Sequence, residues 1–168
     1  MVAIKVDIQG GLELLSNNHI TIVPLTVRLL ADFSNHMRPE DMAECLAGPD
    51  GRNFLDVPIS ELTEAGTMAL VYNHKTVLGI GGVYKDCIWM LCTTHVEKHK
   101  IAFLRYMREL IPIIRRTNKN PTYNHVWKFN KLHIDWLKSL NAKFYKEYEG
   151  FLYFYWLPLR KESHLNNV

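Results

Sequence analysis

A chain of 168 residues is sized for one folded domain and leaves little room for a second. With 48% hydrophobic and 22% charged residues it can bury a sizeable apolar interior, which excludes disorder over most of its length. A formal net charge of +3 with eight histidines is only mildly basic, so charge gives no argument for nucleic acid, which is not expected as a partner. The longest apolar runs, such as Ile88 to Cys92, fall far short of the roughly 20 residues a membrane helix needs, so no membrane association is expected. Cys45, Cys87 and Cys92 show no metal-type or redox-type pairing, and no charged-then-apolar leader opens the chain; a reducing, cytoplasmic setting is the expectation.

Residues 1–18 hold turn chemistry, Gly10-Gly11 and Asn17-Asn18, around a short apolar stretch, and read as an arm or an added strand. The β-branched run Ile20-Thr21-Ile22-Val23, closed by Pro24, predicts a strand. Leu25 to His36 has helical spacing at Val27, Leu30, Ala31 and Phe33. A second helix starts at Pro39, with Glu40 and Asp41 suited to the positive end of its dipole, runs through Met42, Ala43 and Leu46, and stops at Gly48-Pro49-Asp50-Gly51. After a helical turn at Pro58 to Leu62, strands at Met68 to Tyr72, Val77 to Tyr84 and Cys87 to Thr93 follow one another across short turns at Asn73-His74-Lys75 and Lys85-Asp86, which predicts an antiparallel meander.

From Val96 to Arg116 the period becomes helical, with Ile101, Leu104, Met107, Ile111 and Ile114 on one face and Pro112 expected to kink or end the helix early. Asn124 to Trp127 predicts a short strand, Asn130 to Leu140 a helix, and Lys143 to Tyr148 with Phe151 to Leu157 a hairpin turned at Glu149-Gly150. Pro158 ends the fold and residues 159–168 read as a mobile tail. The whole is read as one α/β (α+β) domain, a mixed, mostly antiparallel sheet flanked by helices.

Local residues sharpen this order. Val126-Trp127-Lys128-Phe129-Asn130, then His133 through Phe144, resembles the GNAT superfamily pattern of a strand, an asparagine, a helix, a small residue and an aromatic strand. Taken with Met37-Arg38-Pro39-Glu40-Asp41-Met42-Ala43-Glu44-Cys45, Gly79-Ile80-Gly81-Gly82-Val83 and Asp86-Cys87-Ile88-Trp89, the chain resembles more closely the acetyltransferase-like family of short-tailed bacteriophages, which includes their internal virion protein A. The resemblance spans roughly Ile20 to Leu157.

That resemblance implies a GNAT-like fold and an acetyl-CoA site where the central strand, Ile88 to Thr93, splays from the strand at His125 to Trp127. A helix start with free N–H groups would bind the pyrophosphate. The residues implicated in the cofactor are Thr93, Val96, Lys98, His99, Lys100, Ile101, Ala102 and Asn130. The family's Gln/Arg-x-x-Gly-x-Gly/Ala loop aligns with Glu97-Lys98-His99-Lys100-Ile101-Ala102, so Lys100 stands where glycine admits the phosphates and only Ala102 keeps the small residue. For a general base the candidates by position are Glu44, His95 and Glu97. The tyrosine that protonates the leaving thiolate, six residues after the asparagine, is here Trp136, whose indole is no practical acid; Tyr145 and Tyr148 are the alternatives.

Other signals are weaker. His95 and His99 flank Glu97 at zinc-helix spacing, but the glutamate has the wrong offset and no third ligand is evident, so no metal is expected. Cys92 reads as core. The aromatic run Phe151, Tyr153, Tyr155 reads as sheet packing, with its alternate face a partner surface if left open. Arg105, Arg108, Arg115 and Arg116 read as a solvated helix face. Two functions remain in play: an N-acetyltransferase acting on an amine of a host protein or small molecule, and a catalytically degenerate GNAT scaffold serving as a virion component or as a binder or inhibitor of a host protein. Both place the chain in the cytoplasm of an infected cell or in the virion.

Overall fold

A computed structural model of the chain describes residues 19–159. The arm or strand expected over residues 1–18, and the tail beyond Leu159, lie outside the described residues. Strands β1 (Ile20–Pro24), β2 (Met68–Tyr72), β3 (Thr76–Tyr84), β4 (Cys87–Cys92), β5 (Thr122–Trp127), β6 (Lys143–Tyr148) and β7 (Phe151–Trp156) form one seven-stranded sheet in the order β1-β2-β3-β4-β5-β7-β6. Every neighbouring pair is antiparallel except β4 with β5, which is parallel.

The hairpins follow from their turn residues. Asn73 and His74 (φ 47° and 59°), Lys85 and Asp86 (48° and 66°), and Glu149 and Gly150 (49° and 83°) each supply two consecutive left-handed residues, the twist that two-residue hairpin turns require. The meander β2-β3-β4 expected from the sequence is therefore present. Within it Gly81 lies so close to β4 that a Cβ would stand 2.4 Å from the Trp89 carbonyl oxygen and 3.1 Å from Met90 Cα.

Helices cover both faces. Against one lie α5 (Lys100–Thr117) and α6 (Lys131–Ser139), whose Phe103, Tyr106, Met107, Leu110, Ile134 and Leu137 bury against Leu78, Val126, Phe154 and Trp156. On the other, α1 (Val27–His36) and α3 (Ile59–Glu64) bring Phe33 and Leu62 onto Ala69, Val71, Val77 and Ile80. α1 is capped by Thr26, whose Oγ1 accepts from the Leu29 amide at 3.3 Å. α2 (Pro39–Ala47) starts with Pro39 in its first turn and ends at Gly48. A 3₁₀ turn, Phe54–Asp56, joins it to α3.

Several expectations need correction. The helix drawn from Val96 is broken at His99 (φ −115°, ψ 21°) into a single turn, α4 (His95–Lys98), and α5. The His99 ring stacks on Tyr72 at 4.1 Å and 25°, a contact to the sheet that accompanies the break. Pro112 neither ends α5 nor shortens it: the helix continues to Thr117, and its last turn is pinned where Arg115 Nε donates to the Leu157 carbonyl at 2.7 Å and Arg115 C=O accepts from Leu159 N–H at 2.8 Å. Ile101 is 71% exposed, because α5 turns Phe103, Tyr106 and Leu110 inward instead. Val27 and Leu46, taken as apolar-face residues, are exposed as well. β5 begins two residues earlier than expected, and Thr93 leaves β4 to make an isolated bridge with Met37.

Gly81→Ala is expected to cost about 3 kcal/mol, since the clashing atoms are backbone and cannot rotate away; chemical denaturation measures it, and an unchanged midpoint would mean β3 and β4 can separate without loss.

Candidate functional site

β4 and β5 pair at one position, Cys87 with Tyr123, where the Tyr123 amide donates to Asp86 C=O at 3.0 Å. Beyond it the ladder stops and a gap opens toward the C-terminal ends of the two strands. Antiparallel alternation fixes what faces the gap: Thr93 N–H bonds Leu78 C=O across β3, so the backbone groups of Ile88, Met90 and Cys92 turn toward β5. Ile88 C=O accepts from Asn124 Nδ2 at 2.7 Å. Cys92 N–H donates to Asp41 Oδ2 at 2.7 Å, and its C=O accepts from the Arg38 amide at 2.9 Å. Between them the Met90 N–H and C=O remain as the bare edge of the gap.

The mouth of the gap is closed by a buried polar network built from α2 and the start of α6. Arg38 and Asp41 are 2% and 1% exposed and share a 3.0 Å ion pair. Asn130, the residue before α6, is also buried, and its amide donates to Asp41 Oδ1 at 3.0 Å and Glu44 Oε2 at 2.8 Å. Helical spacing of three residues places Asp41 and Glu44 on the same side of α2, so one asparagine reaches both. The Arg38 guanidinium lies 5.9 Å from the Trp136 ring centroid, and Glu97 Oε1 approaches its Nε at 3.7 Å from α4.

Burial dominates the electrostatics. It pushes the Glu44 carboxyl up to about 7; the Asn130 donor and the Trp127 amide oppose the rise while the Asp41 charge adds to it. His133 Nδ1 stands 3.9 Å from Glu44 Oε2, and burial holds its pKa below the usual imidazole value despite nearby Asp41. His95 is also lowered, by burial and by His36, whose ring centroid lies 4.5 Å away.

A crevice of about 340 Å³ opens at the start of α5, lined by residues 97–102 and Arg105. The first helical bond there runs from Phe103 N–H to His99 C=O at 2.9 Å, so the amides of Lys100, Ile101 and Ala102 have no acceptor within the helix.

Of the residues singled out from the sequence, Lys98, His99, Lys100, Ile101 and Ala102 thus share one crevice with Glu97. Thr93 and Val96 are in the core beneath it, with Thr93 Oγ1 donating to Val77 C=O at 2.7 Å. Asn130 and Glu44 meet in the buried network, Glu97 touches its rim, and His95 packs against His36 outside it. His95 and His99 take separate ring partners, and among the described residues no three His, Cys, Asp or Glu side chains gather as a metal site. Tyr145 and Tyr148 sit on β6, separated from β5 by β7, while Trp136 packs on Phe103 at 4.8 Å. Sequence reasoning missed Arg38, Asp41 and His133 as members of the site. Opposite charges three apart around Pro39 were the available signal for the first two, but that spacing is equally at home on a solvated surface.

Comparison with known proteins agrees with this architecture. A family model described as bacteriophage T7, probable scaffold protein Gp13, matches residues 67–149. No curated protein matches the chain by sequence. Among solved structures, a provisionally assigned acetyltransferase superposes with TM-score 0.58 at 14% identity, over 83% of this chain and 84% of that one. A domain from Methanocaldococcus jannaschii gives 0.55 at 12%, over 82% and 97%. YncA of Salmonella typhimurium, another provisionally assigned acetyltransferase, solved with its cofactor acetyl-CoA, gives 0.53 at 12%, over 87% and 98%. The protein has a GNAT-like fold. Its sequence likeness is to a phage family, and among the described residues no helix is long and apolar enough to cross a membrane.

Two measurements probe the network. Asp41→Ala should cost about 3–5 kcal/mol by leaving the Arg38 charge buried without its partner. Glu40→Ala, which removes a 52%-exposed carboxylate 3.5 Å from the same guanidinium, should cost under about 1 kcal/mol. For Glu44 the sign follows from its raised value: as pH climbs from 4.5 to about 7 the unfolded carboxyl loses its proton first, so stability falls across that window. Glu44→Gln should therefore gain on the wild type with rising pH, by up to about 3 kcal/mol at pH 8; parallel denaturation curves at pH 5 and pH 8 with no divergence would show that Glu44 is not desolvated.

Proposed function

We propose that the chain is a GNAT-fold acyltransferase that takes an acyl-CoA thioester in the gap between β4 and β5 and delivers its acyl group to an amine. The observation that carries this reading is the one-position pairing of β4 with β5, which leaves the Met90 edge without a partner among the described residues. With it go a helix start whose Lys100, Ile101 and Ala102 amides have no acceptor within the helix, linked to the buried network by Glu97 at 3.7 Å from Arg38, and a buried carboxyl pushed up to about 7. These features fit the group. Met90 offers one donor and one acceptor to an amide-bearing arm laid between the strands. The α5 amides, with Lys98, Lys100 and Arg105 around the crevice, suit phosphates. A bound thioester would supply an acyl carbon activated toward amines: the new C–N bond replaces the C–S bond, and CoA departs as its thiolate and takes a proton from solvent. Glu44, divided between its acid and carboxylate forms near neutrality, accepts the proton the amine must lose, and neutral His133 beside it provides a second acceptor. Asn130, held by Asp41, keeps Glu44 in place. The acceptor is an amine of a host protein or small molecule, encountered in the infected cell.

One set of observations favours a second reading, a scaffold without turnover that serves in the virion or binds a host protein. Asp41 already occupies the Cys92 amide at the mouth of the gap, Lys100 stands where the phage family's relatives carry glycine, and Trp136 replaces the acidic tyrosine. The match to a phage scaffold-protein family points the same way.

Calorimetric titration with acetyl-CoA and with CoA separates the two. Saturable micromolar binding, weakened at least about tenfold by Lys100→Glu, is expected; no heat with either ligand would leave the scaffold reading standing. With acetyl-CoA and a panel of primary amines, turnover should rise as pH climbs through about 7, and Glu44→Gln should lower kcat on the order of 100-fold while cofactor binding persists.

A further inference from the structure

Among the described residues, the half of the sheet formed by β5, β7 and β6 is covered chiefly on one face. The residues of β5, β7 and β6 that point away from α5 and α6 lie side by side in three registered rows: Tyr123, Tyr155 and Lys143; His125, Tyr153 and Lys146; Trp127, Phe151 and Tyr148. None of these side chains belongs to either packed apolar cluster, although Phe151 is itself buried, its ring edge-on to His125; α1 and α3 pack over β2 and β3, and α2 touches β5. A register shift between Phe144 and Lys146 inserts Tyr145 as an extra residue on β6, and its ring joins the same face, 6.3 Å from Tyr153 and 5.7 Å from Tyr155. Tyr123, Tyr145 and Tyr148 are 47%, 60% and 50% exposed.

The chemistry of this face is unusual for a sheet surface. Every member of the rows is an aromatic ring or a lysine, and no carboxylate is among them. Of the carboxylates nearest the rim, Glu147 pairs with Lys128 at 3.1 Å and Asp86 with Asn120 at 2.8 Å, while Glu149, at the hairpin turn, bonds the Tyr148 hydroxyl at the end of the third row. Lys146 Nζ lies 4.7 Å from the Tyr148 ring centroid and 5.5 Å from that of Tyr153, so a cation is held directly over the rings.

We propose that this open face of β5, β7 and β6 is a platform for single-stranded nucleic acid, independent of the gap and of any acyl chemistry. Rings two residues apart on a strand stand about 7 Å apart on one face, which lets unstacked bases of an extended strand lie on successive tyrosines while Lys143 and Lys146 meet the phosphates. A duplex hides the faces of its bases and offers the rings nothing to stack on, so single strands are selected. The lysines set among the rings, Lys143 at the edge and Lys146 against Tyr148 and Tyr153, are what commit the face to a polyanion, and Glu149 marks its limit at the hairpin turn. Tolerance of sequence follows, since stacking uses the face every base shares.

The test is fluorescence anisotropy with a labelled 15-nucleotide oligothymidine and a duplex of equal length, at 50 and 200 mM salt. Expected are saturable micromolar binding to the single strand, binding to the duplex at least about tenfold weaker, and loss of affinity with added salt. Tyr145→Ala and Tyr148→Ala should each weaken binding roughly 5- to 100-fold. Both side chains are at least half exposed, so the fold should survive, and circular dichroism checks it. Lys143→Glu with Lys146→Glu should weaken binding further, whereas Arg108→Glu with Arg116→Glu, exposed on α5, should leave it unchanged. Undetectable binding at 50 mM salt, or binding indifferent to both tyrosines, overturns the proposal. So does a dimer seen by sedimentation that Tyr145→Ala dissociates while no oligonucleotide binds, an outcome that would assign the face to a second copy of the chain.

Discussion

The ion pair between Arg38 and Asp41 is the contact on which the centre of the molecule turns. Asp41 is tied three times, by the guanidinium, the Asn130 amide and the Cys92 backbone N–H; Arg38 has Asp41 at 3.0 Å with Glu40 and Glu97 farther off at 3.5 and 3.7 Å, and its backbone amide bonds the Cys92 carbonyl. Such a pair gives little net stability against an apolar equivalent, yet its loss on one side alone is costly. What it specifies is geometry. It pins the start of α2 to the end of β4, and through Asn130 it ties both to the end of β5, at the place where the sheet has no ladder of its own.

That fixed geometry explains why the gap and the titrating carboxyl occur together. Strands that pair at one position and then diverge leave backbone groups to be satisfied by side chains, and α2 supplies them at the mouth. Glu44 is carried one turn further along the same helix, into a place too dry for an ordinary carboxylate and beside His133. The gap therefore keeps an open stretch at Met90 beneath a closed rim. On the proposed acyltransferase reading a donor would use the first and meet the second, so the same residues bear on both functional readings.

The sheet is asymmetric in its cover. α1 and α3 sit over β2 and β3 on one face and α2 reaches β5, while α5 and α6 span the other. The C-terminal hairpin thus contributes Phe154 and Trp156 to the core from one face and presents its tyrosines and lysines from the opposite one. Alternation within β7, Phe151 through Trp156, is what allows one aromatic run to serve both purposes.

The order of elements, the three hairpin turns and the amphipathic helices could be read from residues alone, because each depends on local chemistry: β-branched runs, turn residues, apolar spacing; the GNAT-like pattern comes from resemblance of motifs. The spacing alone starts the long helix at Val96, whereas it begins at Lys100, and Glu44 stands as one of three candidates for a base. Tertiary contact decided the rest. Pro112 did not stop its helix because Arg115, Leu157 and Leu159 hold the last turn, and His99 broke one where its ring lies against Tyr72. Arg38 and Asp41 looked like ordinary charges at a helix start and became the buried centre, since burial is a property of what packs over a residue, and nothing in a local pattern states which elements of a fold will meet.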